Sequence, residues 1–83
     1  MNNKILISVK VPMIEQKYDI FVPAFKTIFN VIETIEQGIS ELSHGEYIPS
    51  GKVMLYNSNG ELINPNVIVK ESGLLNGSDV IMI

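Results

Sequence analysis

The sequence predicts an α+β fold in which one amphipathic helix packs across a mixed sheet of four to five strands. Apolar residues alternate with polar ones near the amino terminus, and an apolar run closes the sequence, whereas between these segments apolar residues recur every three or four positions. A helix and a sheet that each expose one apolar side bury those sides against each other. The expected order is two strands, the helix and three further strands.

The first two strands are predicted to form an antiparallel hairpin. From Ile5 to Val11 every odd position carries a β-branched apolar side chain, and this period of two gives a strand one buried face. Pro12 lacks a backbone N–H and ends the strand. A second strand, Tyr18 to Val22, alternates in the same way and closes at Pro23. The short connection between the two favours a hairpin.

The helix is predicted from apolar residues at three- and four-residue steps. Thr27 is expected to cap its amino terminus by accepting from an amide of the first turn. Gly38 costs about 1 kcal/mol relative to Ala inside a helix, so an early end there is the alternative to a helix that reaches Leu42. Phe25 and Phe29 flank the stripe and are expected to seat the helix on the sheet. The apolar stripe comprises Ile28, Val31, Ile32, Ile35, Ile39 and Leu42, and the polar side comprises Glu33, Glu36, Gln37 and Glu41.

The last predicted strand, Val80 to Ile83, is apolar throughout, which is typical of a central strand. We expect it beside the first strand and parallel to it. Leu74 and Leu75 are expected to enter the core just before it. Shorter extended pieces are predicted over Lys52 to Tyr56, Glu61 to Ile63 and Val67 to Val69, with a turn at Asn57 to Gly60.

Composition limits the function. Eighty-three residues with 46% apolar content fit a single domain over residues 1–83. The sequence has no cysteine, which excludes disulfides, thiolate metal sites and a cysteine nucleophile. Nine acidic residues, six Lys and no Arg leave a net charge of −3, which disfavours nucleic acid as a partner. No segment has the roughly 20 apolar residues that span a bilayer. We expect a cytoplasmic protein that binds no cofactor and does not insert into membranes, although the absence of cysteine fits the exterior of a bacterium almost as well.

The order of elements and the closing segment ESGLLNGSDVIMI resemble those of the ubiquitin-like, or β-grasp, domains. Within that group, VPAFKTIFNVIETI resembles the small bacterial ubiquitin-like proteins of the YukD and EsaB type. In those proteins a Val-Pro-Ala step leads into the helix, and a Leu-Leu-x-Gly-x-Asp-x-Ile pattern closes the domain. The matching residues are Val22, Pro23, Ala24, Ile28, Asn30 and Ile32 in the first segment and Leu74, Leu75, Gly77, Asp79 and Ile81 in the second.

This resemblance implies a function. A protein of the YukD and EsaB type would be an accessory component of a type VII (ESX-like) secretion system and would bind other proteins in the cytoplasm. Membrane components of that machine are the implied partners, because related domains occur fused to them or beside them. A generic β-grasp adaptor or homodimer unrelated to secretion is the alternative.

The outward side of the sheet is the expected binding surface. If the odd positions of the first strand are buried, Leu6 and Ser8 face outward, and a parallel last strand would place Ile81 and Ile83 near them. The sequence does not decide which face of the third strand is buried, so either Met54 or Leu55 joins this surface. The competing interpretation is that a few exposed aliphatic residues are ordinary on a small domain. The predicted protein-binding residues are Leu6, Ser8, Met54, Ile81 and Ile83.

Two other chemistries are not expected. Ubiquitin and the similar sulfur carriers act through a flexible tail that ends in Gly-Gly, whereas this sequence ends in Met82 and Ile83, which we expect to be held in the sheet. Glu41 and His44 have the spacing of a Glu-x-x-His metal motif, with Glu46 nearby. One such motif without facing carboxylates is better explained as a solvated helix end.

Overall fold

The computed structural model describes residues 3–83, which form one four-stranded mixed sheet and one long helix. The elements are β1 (Lys4–Val11), β2 (Gln16–Pro23), α1 (Ile28–Leu42), β3 (Leu55–Asn57) and β4 (Ser78–Met82). Two single turns of 3₁₀-helix, Pro12–Ile14 and Val69–Glu71, follow β1 and precede β4. The predicted α+β class is confirmed.

The strands lie in the order β2, β1, β4, β3. β1 pairs antiparallel with β2 and parallel with β4, and β3 pairs antiparallel with β4. The predicted hairpin and the predicted central, parallel last strand are therefore both confirmed. This arrangement leaves β2 and β3 at the two edges of the sheet.

The core lies between α1 and one face of the sheet. The odd positions Ile7, Val9 and Val11 of β1 are fully buried, as the alternation predicts, and Val80 and Met82 of β4 are buried with them. The helix contributes five residues of the predicted stripe, Ile28, Val31, Ile32, Ile35 and Ile39. Leu42 was wrongly assigned to this stripe. Its side chain is 55% exposed at the last residue of α1, and Tyr47 from the following segment is buried instead.

The amino terminus of α1 is capped by two parts of the chain. The Asn30 amide donates to Thr27 Oγ1 at 3.2 Å, so the predicted cap is confirmed. The amides of Ile28 and Phe29 donate to the carbonyls of Val67 and Pro65 at 2.9 and 3.0 Å. These bonds satisfy donors that have no acceptor within the helix. The chain at residues 65–67 is thus held against the helix rather than added to the sheet.

Two predicted extended pieces do not form strands. In the described chain, Glu61 to Ile63 contributes only a single bridge, between Leu62 and Tyr56, and Val67 to Val69 contributes one bridge before it turns into 3₁₀-helix. The sheet accordingly has four strands and not five. The reason is that Asn64 and Pro65 lead the chain away from β3 to the amino terminus of α1.

Three large apolar side chains lie outside the core, contrary to expectation. Phe25 and Phe29 are 56% and 64% exposed, so neither seats the helix on the sheet. The ring of Phe25 instead lies 5.1 Å from Lys70 Nζ, within the range of a cation–π contact. Leu74 is buried as expected, but Leu75 is 71% exposed in the turn before β4.

Candidate protein-interaction surface

The face of the sheet opposite α1 carries side chains in rows that cross the strands. Its members are the residues that alternate with the buried positions of each strand, and the strand register sets their neighbours. The first row is Phe21 and Leu6, the second is Asp19, Ser8 and Asp79, and the third is Lys17, Lys10, Ile81 and Tyr56.

Polar contacts join residues of the second and third rows. Ser8 Oγ donates to Asp19 Oδ1 at 2.9 Å. Lys17 Nζ lies 3.1 Å from Asp79 Oδ1, so this ion pair spans β1 from β2 to β4. Both of its side chains are about 60% exposed, and such pairs contribute about 0–1 kcal/mol. These contacts form a polar band across the middle of the open face. Its members are Lys17, Asp19, Ser8 and Asp79.

The apolar end of this face lies on β3 and β4. Ile81 is half-buried between Lys10 and Tyr56, its partners on the two neighbouring strands. Beyond β4, the Ile83 and Met54 backbones exchange hydrogen bonds of 2.9 and 3.2 Å, which continue the ladder, and the Ile83 side chain is 59% exposed. Together, Tyr56, Ile81 and Ile83 form what we call the β3–β4 patch.

The register corrects the expected grouping. Ser8 lies beside Asp79, and Ile81 lies beside Lys10, two residues further along than expected. Leu6 is bonded to the turn before β4, because its amide donates to Asn76 Oδ1 at 2.7 Å and its carbonyl accepts from the Gly77 amide at 2.8 Å. Leu6 is therefore separated from Ile81 and Ile83 by the polar band, and Ser8 belongs to that band through its bond to Asp19.

The structure also answers which residue of the third strand faces the core. Leu55 is fully buried. Met54 is half-buried, packs against the core and lines a cleft beside α1. Tyr56, which the sequence analysis did not select, is the neighbour of Ile81. The signal that would have found it is the burial of Leu55, since alternation then assigns both neighbours, Met54 and Tyr56, to the open face, although the structure keeps Met54 in contact with the core.

A buried carboxylate lies on the helix side of the sheet. Glu36, expected on the polar side of α1, is 3% exposed. Its Oε2 accepts from the Tyr47 hydroxyl at 2.6 Å and from the Ser50 amide at 2.9 Å, and its Oε1 accepts from the Gly51 amide at 3.1 Å. A buried carboxylate requires such donors. Glu36 therefore holds the chain after α1 in place.

Tyr47 is the buried partner of this carboxylate. Removal from water, followed by the hydrogen bond to Glu36 and the negative charge of Glu36, raises the pKa of Tyr47 well above its ordinary value of 10.0. All three effects disfavour the phenolate. The hydroxyl consequently stays protonated and donates to Glu36, which is a structural role.

The residues of the Glu-x-x-His motif lie where α1 ends. Glu41, His44 and Glu46 are all exposed, and His44 has a left-handed φ of 54° in the turn after the helix. Within residues 3–83, no group of three His, Asp or Glu side chains is arranged to hold a metal ion. In the same residues, no helix combines the length and the apolar character needed to cross a membrane.

Comparison with known proteins identifies the fold. No protein-family model and no curated protein matches the sequence. Among solved structures, the ubiquitin-like domain of the Mycobacterium tuberculosis type VII secretion protein EccD1 superimposes with a TM-score of 0.74 at 12% identity, over 100% of this chain and 99% of that one. The fold is a ubiquitin-like β-grasp.

The β-grasp likeness extends to other proteins. A ubiquitin-like domain from Arabidopsis thaliana gives a TM-score of 0.69 at 22% identity, over 99% of this chain and 78% of that one. A chain of an ESX-5 inner membrane complex gives 0.72 at 10% identity, over 99% of this chain and 21% of that one. At these identities the likeness establishes the β-grasp fold.

Proposed function

We propose that this chain is a non-enzymatic, ubiquitin-like interaction module of the YukD and EsaB type that serves a type VII secretion system from the cytoplasm. The proposal rests on the resemblance of the Val-Pro-Ala step and the closing pattern, together with the β-grasp fold. Structural neighbours that include EccD1 and a chain of an ESX-5 inner membrane complex support it. The partner class is then a protein of the secretion machine.

The β3–β4 patch is the surface that we assign to this partner. Ile81 and Tyr56 are half-buried, and Ile83 is exposed, on the face of the sheet that α1 does not cover. Apolar side chains that are rimmed by polar groups are typical of interaction sites, and here Lys10 and the polar band provide the rim. This is the observation that carries the proposed mode of binding.

The test is co-purification of the tagged chain with the type VII membrane components encoded in the same genome. Ile81→Asp places a charge in the centre of the patch, and we expect it to abolish recovery of the partner while the helical circular dichroism signal is retained. Phe21→Asp is the matched control, since Phe21 is 58% exposed on the same face but beyond the polar band, and it should bind as the wild type does.

Ile83→Asp serves as a second variant, because its exposed side chain makes loss of folding less of a concern. Recovery of the membrane components by both Asp variants would contradict the assignment of the patch. Failure of the wild-type chain to recover any of them would contradict the role in secretion. Light scattering on the purified chain distinguishes the homodimer of the alternative hypothesis.

A further inference from the structure

A cleft lies on the helix side of the sheet. It lies between one edge of α1 and the chain from Pro49 to Met54, and it encloses about 270 Å³. Phe29 and Ile32 of α1 and Val53 and Met54 of the opposite wall provide its apolar lining. Phe29, in the first turn of α1, is 64% exposed and so offers apolar surface at this site. We call this site the α1 cleft.

The walls of the α1 cleft are held in position by Glu36. The Glu36 carboxylate itself lines the cleft and binds the amides of Ser50 and Gly51 at 2.9 and 3.1 Å. The wall opposite α1 is therefore fixed without any partner. A preformed site avoids the entropy cost of ordering a loop on binding.

The size of the cleft indicates what it can hold. Sites for small molecules and cofactors typically enclose about 300–1,000 Å³. At about 270 Å³, the α1 cleft lies at the lower limit of this range and has room for one or two side chains of a protein segment. Large apolar side chains that fill such pockets supply much of the binding energy of protein interfaces.

Charge indicates which segment fits. The ionisable residues that line the cleft are both acidic, Glu33 and Glu36. Glu36 is occupied by its three donors, whereas Glu33 is exposed at the rim. From Thr27 to Met54, which spans both walls, the sequence has four Glu against one Lys, Lys52, and no Arg. A basic partner is favoured at such a surface, because the charges are complementary.

We propose that the α1 cleft docks a partner segment in which a large apolar side chain is flanked by Lys or Arg. The apolar side chain enters between Phe29 and Met54, and a flanking cation pairs with Glu33. The α1 cleft adjoins the β3–β4 patch, because the backbone of Met54 exchanges hydrogen bonds with that of Ile83.

A peptide titration monitored by amide NMR shifts of the full chain tests this proposal. The probe is a synthetic decapeptide with Leu-Phe at its centre and two Arg on each side. Two matched peptides carry Glu in place of Arg, or Ser-Ser in place of Leu-Phe. We expect saturable shifts at Phe29, Glu33 and Val53 with the first peptide alone.

Two charge reversals on the same helix provide the matched variants. Glu33→Lys should weaken binding of the Arg peptide by about tenfold or more, the effect of losing one close charge pair and gaining a repulsion. Glu41→Lys makes the same change at an exposed position outside the cleft and should alter the affinity by less than about threefold, since solvent screens it. Phe29→Ala should also weaken binding.

Three results would overturn the proposal. They are the absence of shifts up to about 1 mM peptide, which is negligible affinity for a specific site, equal weakening by the two reversals, and shifts at Tyr56 and Ile81 in place of the cleft. The last result would show that the peptide binds the β3–β4 patch and not the α1 cleft. Because the readout is local to the cleft, failure here does not bear on the secretion partner of the open face.

Discussion

Strand β4 and the connection after α1 are ordered by different means. β4 is bonded to β1 on one side and to β3 on the other, so its position depends on many hydrogen bonds of which each contributes little. Residues 43–54 contain neither helix nor strand, yet Tyr47 within them is only 2% exposed. Three residues of the connection, Tyr47, Ser50 and Gly51, donate to a single carboxylate, that of Glu36. The stability of the connection should therefore be far more sensitive to a single substitution.

The largest expected effect is that of Glu36→Ala. It removes the acceptor of one hydroxyl and two amides, and we expect it to lower the free energy of unfolding by about 3 kcal/mol in urea denaturation. Glu33→Ala, on the exposed side of the same helix, is the matched control and should change it by less than about 0.5 kcal/mol. Equal effects of the two variants would show that the connection does not depend on Glu36.

Tyr47→Phe should have a smaller effect of the same sign. It deletes one donor to Glu36 but leaves the two amide bonds and the buried ring, so we expect a loss of about 1–2 kcal/mol. Hydrogen exchange of the Ser50 and Gly51 amides provides a local readout. We expect Tyr47→Phe to accelerate exchange at these two amides more than at the amides of β4. The same acceleration at both places would contradict a local role for Tyr47.

The same hydroxyl gives a pH dependence. The pKa of Tyr47 is raised on folding. The contribution of its hydroxyl to the free energy of unfolding is therefore fully present below the ordinary pKa of 10.0. As the pH rises above this value, the unfolded state ionises before the folded state does, and the contribution is progressively lost. Unfolding free energies measured from pH 8 to 11, a range of about three units around the ordinary tyrosine pKa, should fall more steeply for the wild type than for Tyr47→Phe. Parallel slopes would contradict the assignment.

Two glycine substitutions should have small effects of opposite sign. Gly45 in the connection has a φ of 84°, where a side chain is strained, and Gly45→Ala should destabilise the protein by about 1 kcal/mol. Gly38 lies within α1 with open space around an added Cβ, and Gly38→Ala should stabilise it by about 0.5–1 kcal/mol. Thermal unfolding of the pair measures both, and a stabilising Gly45→Ala would place the strain elsewhere.

The strands and the helix were predictable because each depends on a local period. Alternation alone selects the buried residues Ile7, Val9 and Val11 of β1, and the three- and four-residue spacing selects the helix. The sequence left its end open between Gly38 and Leu42, and the structure shows that it reaches Leu42. The short pieces near Leu62 and Ile68 were predicted as strands. They were misassigned because their donors and acceptors are used by α1 and by single bridges.

The grouping of surface residues was less predictable. A slide of two residues between β1 and β4 preserves every inward and outward assignment, so alternation could not choose between Ser8 and Lys10 as the neighbour of Ile81. Phe25 and Phe29 were expected to pack on the sheet because they flank the apolar stripe of the helix. Their exposure depends on where the helix crosses the sheet. Local periodicity does not predict that position.

The sequence by itself determined that β1, β2, α1 and β4 form and that the helix is acidic, because these follow from residue type and spacing. Only the tertiary structure decided that Glu33 stays in solvent while Glu36 becomes the anchor of the connection. Glu36 follows Ile32 by four residues, which places it beside the apolar stripe. Burial of its charge is tolerated because Tyr47, Ser50 and Gly51 return to the helix as donors, and only the folded chain brings them there.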